Sequence, residues 1–134
     1  MNKIFLANAL VTNSKNQMLA VRKKNSNYYQ MVGGKLEKQE TILQTLQREF
    51  LEEIGLDISQ HEIQFLGEYE TLAVNEKNTL VHANVFYVKL KDQDVIKISK
   101  EIEEYAYINK SDYQNYQLAH LLEEFSLPIW LEMN

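Results

Sequence analysis

Apolar residues first alternate or run together along the chain, and later recur at helical spacing. Ile4 to Thr12 and Met18 to Val21 are β-like runs flanking the polar stretch Asn13-Ser14-Lys15-Asn16, which predicts a hairpin or two neighbouring strands. Tyr28 to Val32 is a short aromatic run that reads as a strand stopping at Gly33-Gly34. From Thr41 to Ile54 the apolar residues Ile42, Leu43, Leu46, Phe50 and Ile54 fall within a stripe roughly 120° wide at about 100° per residue, the mark of an amphipathic helix. Gly55 supplies its stop. Glu62 to Val74 and Leu80 to Leu90 predict a second hairpin about Asn75 to Asn78, and a short strand follows at Tyr105 to Ile108. The tail, from about Ser111 to Phe125 and again from Pro128, reads as helix, with Leu118, Leu121, Leu122 and Phe125 at helical spacing. No linker, repeat or low-complexity stretch divides the chain. The expectation is a single α+β domain over residues 1–134, a mixed β-sheet with one central helix and one C-terminal helix in an α/β/α sandwich.

The composition supports a packed core: 134 residues, 45% of them hydrophobic. A net charge of −5 with no Lys/Arg run argues against stable nucleic-acid binding. Cysteine is absent, which removes disulfides, thiolate zinc sites and cysteine nucleophiles and permits a reducing compartment; the expected location is cytoplasmic. Met1 to Ala9 imitates a secretory signal, but its apolar run is short and continues through Leu10, Val11 and Thr12 as a strand. No run approaches the roughly 18 apolar residues that span a bilayer, so no membrane association is expected.

The helix carries the chemistry. On the same wheel Glu49, Glu52 and Glu53 cluster, with Glu53 at the edge of the apolar stripe. Three carboxylates so spaced repel one another, in the last turns of a helix whose dipole disfavours negative charge. An oxygen-only cluster without histidine or cysteine selects a hard cation, Mg2+ with Mn2+ as a substitute. The competing reading is a solvated acidic face in which Arg48 pairs with Glu52. Gly33-Gly34 lets the backbone turn and offers unobstructed carbonyls and amides to a phosphate or cation. Glu40 is placed in the first helical turn, where an N-terminal charge and a metal-related role are both open.

The spacing from Gly34 through Glu40, Arg48-Glu49, Phe50, Glu52-Glu53, Ile54 and Gly55 to Leu56 matches at every specified position the pattern G-x5-E-x7-R-E-U-x-E-E-x-G-U, with U apolar. It resembles the signature of the Nudix hydrolases. The resemblance implies that Glu52, Glu53 and the Gly34 carbonyl are metal ligands and that Glu49 is a ligand or a base for the attacking water. It further implies that Arg48 holds Glu49 in place and that Glu40 is a supporting carboxylate. Leu19 to Lys23, Tyr28 to Lys35 and Glu101 to Ile108 look like the flanking segments of MutT-like members, with Val32 where many carry proline and Tyr107 where tryptophan is usual. Glu101 is the choice for a further ligand or base, against the alternative that Glu101 to Glu104 is solvated surface.

The activity so implied is metal-dependent hydrolysis of a nucleoside diphosphate linked to another moiety: a nucleoside triphosphate, an oxidised nucleotide, ADP-ribose or similar. The partner is a small nucleotide. The alternative is a non-catalytic Nudix-fold nucleotide-binding or regulatory module. Arg22 is a candidate phosphate contact and Tyr28 and Tyr29 are candidates to stack on a base, against plain exposure and packing. His82, within a strand, reads as a packed or surface histidine rather than a ligand. Leu127, Ile129, Trp130 and Leu131 either dock on the domain or serve a dimer, so monomer and homodimer both stand.

Overall fold

The computed structural model describes residues 1–134. Strand β1 (Asn2–Thr12) turns through Asn13–Gln17 into β2 (Met18–Lys23), and β3 (Tyr29–Gln30) and β4 (Val32–Lys35) follow. The first turn is held by the Asn13 side chain, whose Oδ1 accepts the amides of Lys15 and Gln17, both at 3.0 Å. Helix α1 (Ile42–Ile54) comes next, then the hairpin β5 (Ile63–Leu72) and β6 (Thr79–Lys89), and β7 (Ile102–Ile108). A π-helical turn over Leu122–Ser126 leads into α2 (Leu127–Leu131). No helix is long and apolar enough to cross a membrane.

The sheet is mixed, as expected. Strand β1 lies at its centre, parallel to β6 along its whole length and antiparallel to both β4 and the start of β2. Strand β6 carries β5 on its far side, while β2 is flanked by β3 and β7. Alternation along the strands separates two cores. Ala7, Ala9 and Val11 of β1 pack with Leu46, Phe50 and Ile54 of α1, whereas Leu10, Met18, Ala83 and Val85 pack with Leu122, Leu127 and Trp130 of the C-terminal segment. One layer of helix on each face of the sheet is the α/β/α sandwich.

Helix α1 is closed at both ends by its own sequence. Thr41 caps it, its Oγ1 accepting the Gln44 amide at 3.1 Å while Gln44 Oε1 accepts the Thr41 amide at 2.9 Å. Gly55 ends it in the left-handed conformation, φ 72°, its amide donating to Leu51 O.

Three expectations are corrected. The strand does not stop at the glycines: it breaks at Met31, and Gly33 and Gly34 lie inside β4, opposite Asn8 and Ala7 of β1. Glu40 lies before the cap residue Thr41, outside the helix, because its carboxylate serves side chains further along rather than the first-turn amides. The tail is not helical from Ser111. Asp112 accepts the Asn109 amide at 2.8 Å in a turn, and the Tyr29 backbone pairs with Gln117 and Ala119, drawing residues around Leu118 out as an extended segment beside β3. The helix then crosses Pro128 instead of restarting there. Proline has no N–H to donate, and the turn before it widens so that Leu127 N–H reaches back five residues to Leu122 O.

Candidate active site

A cleft of about 610 Å3 opens on the face of the sheet that carries the C-terminal segment. That is within the size range, roughly 300 to 1,000 Å3, of small-molecule sites. One end is charged, lined by Lys23, Lys35, Glu49 and Glu101 beside the glycines of β4. The other is apolar, lined by Ile4, Leu6 and Val81 of the sheet and Leu121 and Leu122 of the C-terminal segment; Leu72 to Glu76, from the end of β5 into the β5–β6 turn, also line the cleft.

Glu53 is the anomaly at the charged end. It is 1% exposed, its Oε1 accepts the Gly33 amide at 3.1 Å, and its Oε2 is buried without a hydrogen-bond partner. Lys23 approaches only to 3.8 Å. Burial pushes the Glu53 carboxyl up to about 8, against the opposing pull of the Gly33 amide and of Lys23. A buried carboxylate oxygen with nothing to bind is costly unless a cation completes it.

Glu49 stands against the backbone of Gly34 so closely that a Cβ on Gly34 would lie 2.5 Å from its carboxyl carbon. Its pKa is raised, first by desolvation and then by the neighbouring Glu52, while Arg48 opposes the rise. Arg48 is the hub of this corner. Its Nε and Nη2 form a fork on the two oxygens of Glu40, at 2.7 and 3.0 Å, its Nη1 donates to Glu49 at 2.6 Å, and Nη2 donates to the Lys35 carbonyl at 3.1 Å. Glu40, also bonded to Thr45 at 2.8 Å, is drawn down to about 2, foremost by Arg48. This shared fork explains why Glu40 and Arg48 stand eight residues apart: the carboxylate fastens the loop to the second turn of α1.

Of the residues singled out in the sequence, Gly33, Gly34, Glu49 and Glu101 line the cleft, and Glu53 lies beneath Gly33. Glu101 is brought there by the β6–β7 connection, which is pinned to the end of α1 by Ser99 N–H to Glu53 O and Lys97 N–H to Ile54 O. Glu52 is not brought in. Its side chain is 57% exposed and touches only Arg48, at 3.4 Å. No group of three histidine or acidic side chains is arranged to hold a metal ion as they stand, and Arg48 bonds both Glu49 and Glu52.

Arg22, Tyr28 and Tyr29 are absent from the cleft wall. Arg22 points away to Glu104 at 3.2 Å and to the Ser26 carbonyl at 2.9 Å, the Tyr29 hydroxyl also donates to Glu104, and the Tyr29 ring packs edge-on against Tyr116. Tyr28 is half-buried, with its amide on Ser26 Oγ. The cation that lines the cleft from this strand is Lys23, which follows a break in the β2–β7 register between Arg22 and Lys23. Lys23, Lys35, Asn8 and His120 also line the cleft, and no motif or periodicity in the sequence singles them out. His82 lies outside the cleft, between Glu70 and Glu68 at 2.8 and 2.7 Å, a partly exposed surface residue.

The oxygen-donor set fits a hard divalent cation on two observations: the orphaned Glu53 Oε2, and the space at Gly34 that only a missing side chain leaves open beside Glu49.

Comparison with known proteins bears on the family and the fold. The model of the NUDIX domain family matches residues 6–127. Among solved structures, the MutT protein of Methanosarcina mazei Go1 superposes with a TM-score of 0.70 at 22% identity, covering 97% of this chain and 88% of that one. The Escherichia coli dihydroneopterin triphosphate pyrophosphohydrolase gives 0.69 at 17%, covering 87% and 89%. The NUDIX domain of Shewanella oneidensis NrtR, solved with ADP ribose, gives 0.75 at 14%, covering 98% and 87%. At these identities the likeness is one of fold. No curated protein matches the chain.

Proposed function

The chain belongs to the NUDIX domain family, and from that premise we propose a Mg2+-dependent pyrophosphohydrolase that cleaves the phosphoanhydride bond of a nucleoside diphosphate linked to another group. The observation that carries the reading is the buried, unpartnered Oε2 of Glu53 at the charged end of a cleft large enough for a nucleotide. Mn2+ would substitute, since the same oxygen donors suit it.

Glu53, Glu49 and the Gly34 carbonyl are the groups to hold the cation, with Glu101 across the cleft as a further donor and Glu52 joining only by turning in from solvent. When bound, the cation supplies neutralisation of the phosphate oxygens and acidification of the attacking water. The chain's own residues do the rest. Glu49 accepts the proton of the water attacking phosphorus. Arg48, fixed by its fork on Glu40, orients Glu49. Lys23 and Lys35 line the same end and suit the diphosphate, while the apolar end receives the rest of the molecule and excludes water.

The test is a panel of nucleoside triphosphates, nucleotide sugars, ADP-ribose and dinucleotides incubated with Mg2+, the products separated by chromatography. Cleavage of at least one diphosphate compound, abolished in Glu53→Gln, is the expected outcome. No cleavage of any member, with binding retained, would replace the hydrolase by a nucleotide-binding module.

A further inference from the structure

Asn8 carries a second buried side-chain oxygen without a partner. It sits in the middle of β1 opposite Gly33, is 6% exposed, and lines the cleft. Its Oδ1 is buried with no hydrogen bond. Two other uncharged polar groups of the cleft wall are already engaged: Asn75 donates to Ser26 Oγ at 3.1 Å and His120 pairs with the Leu72 carbonyl at 2.9 Å.

The position makes the vacancy informative. Along β1, Asn8 shares a face with Ile4 and Leu6, which form the apolar end, and its parallel neighbour on β6 is Val85. An apolar β-branched residue would suit this strand better, since asparagine is a poor strand former and an unpaired amide loses its solvation on burial. Gly33 opposite has no side chain, and a Cβ there would come within 2.6 Å of Asn8 Nδ2, so the glycine also keeps room for the carboxamide. Asn8 thus stands where the charged end meets the apolar end. A planar group entering the apolar end would present its polar edge there.

We propose that Asn8 is a specificity-determining residue, its carboxamide binding the donor–acceptor edge of a nitrogen heterocycle on the substrate. A carboxamide offers one acceptor and an NH2 donor side by side, the complement of any ring edge that places an N–H next to a carbonyl or a ring nitrogen. The assignment rests on the nucleotide reading above, extends it from the diphosphate to the group beyond it, and does not need turnover to be tested.

The experiment is titration calorimetry with Mg2+, using nucleoside monophosphates of the four bases and ribose 5-phosphate as probes, on the parent, Asn8→Leu and Asn8→Ala. Asn8→Ala removes the carboxamide without adding volume, in case leucine is not accommodated. At least one nucleotide should bind the parent more tightly than ribose 5-phosphate. Both variants should lose about tenfold to hundredfold on that nucleotide, the effect of one or two lost hydrogen bonds, and nothing on ribose 5-phosphate. Equal nucleotide affinity in parent and variants overturns the assignment, as does a lowered thermal midpoint with affinity unchanged, which marks Asn8 as structural. A parent that prefers no nucleotide over ribose 5-phosphate also overturns it. If the parent binds nucleotides through Asn8 and hydrolyses none of the panel, the hydrolase reading falls and the assignment stands.

Discussion

Gly33 donates its backbone amide to Oε1 of Glu53 across 3.1 Å and leaves the other carboxylate oxygen of Glu53 buried and unpaired. One backbone bond cannot repay the desolvation of a charged carboxylate, which is why its pKa rises. A proton relieves that cost at lower pH, and a bound cation would relieve it when the carboxylate is charged.

Replacing Glu53 by glutamine removes that charge and keeps the shape. Hydrolysis should fall by about 1,000-fold or more, the usual scale for losing a group that stabilises charge at the reacting centre. The rise in thermal midpoint that Mg2+ gives the parent should disappear. The metal-free variant should be at least as stable as the metal-free parent at pH 8.5. Calorimetric scans with EDTA and with Mg2+ check both statements.

The same group predicts a pH dependence. Its folded-state pKa of about 8 lies above the ordinary 4.5, so the folded chain binds the proton more tightly than the unfolded one. The stability this contributes is complete below about 4.5 and is lost as the pH rises through about 8. Metal-free protein should therefore lose thermal midpoint across that window, and saturating Mg2+ should offset the loss at the upper end, where the carboxylate is ionised for it. Parallel falls with and without Mg2+, or none in either, would refute the linkage.

Adjacent glycines should behave differently. A Cβ on Gly33 would lie 2.2 Å from the Ala7 carbonyl, at a φ of +146°, so Gly33→Ala forces backbone apart and should cost roughly 3 kcal/mol or more. On Gly34 the clash is with the Glu49 carboxylate, the end of a flexible side chain. Gly34→Ala should fold with a midpoint near the parent's and lose most of its activity, because the displaced group is Glu49. Denaturant unfolding and steady-state kinetics on both variants separate the two effects.

Arg48→Lys keeps the charge and removes the fork on Glu40. Loss of orientation at Glu49 should lower kcat by about tenfold to hundredfold and leave KM within a factor of two, since Arg48 does not line the cleft. A change confined to KM would place Arg48 on the substrate instead.

Trp130 is fully buried, and its indole N–H donates to the Asn16 carbonyl at 3.0 Å. Trp130→Ala should cost about 3–5 kcal/mol, read as a lower denaturation midpoint with an unchanged slope. A negligible effect would mean that α2 does not hold the domain together.

Much of this protein was legible because its signals are local. The stripe from Ile42 to Ile54 and the stop at Gly55 need only the helical period, and Thr41 and Gln44 close the start among themselves. The two hairpins follow from alternation and turn residues within a few positions of each other. The tail departs from its helical spacing for the opposite reason. Leu118 is extended because the backbone of Tyr29, far away in sequence, pairs with its neighbours.

By itself, the sequence determined the helix, its caps, the order of strands and the spacing of Gly34, Glu40, Arg48, Glu49, Glu52 and Glu53, since these depend on periodicity and short-range bonding. The helical period also set Glu53 at the edge of the apolar stripe and Glu52 away from it, but not how deeply either is covered. Only the packing of β4 over α1 buries Glu53 to 1% exposure under Gly33 and leaves the Glu52 side chain 57% exposed. Likewise only the assembled sheet decided that Lys23 faces the cleft and Arg22 faces Glu104. The β2–β7 register breaks between these two residues, so strand alternation alone does not assign them, and which of them reaches the site is settled by the elements that cover it.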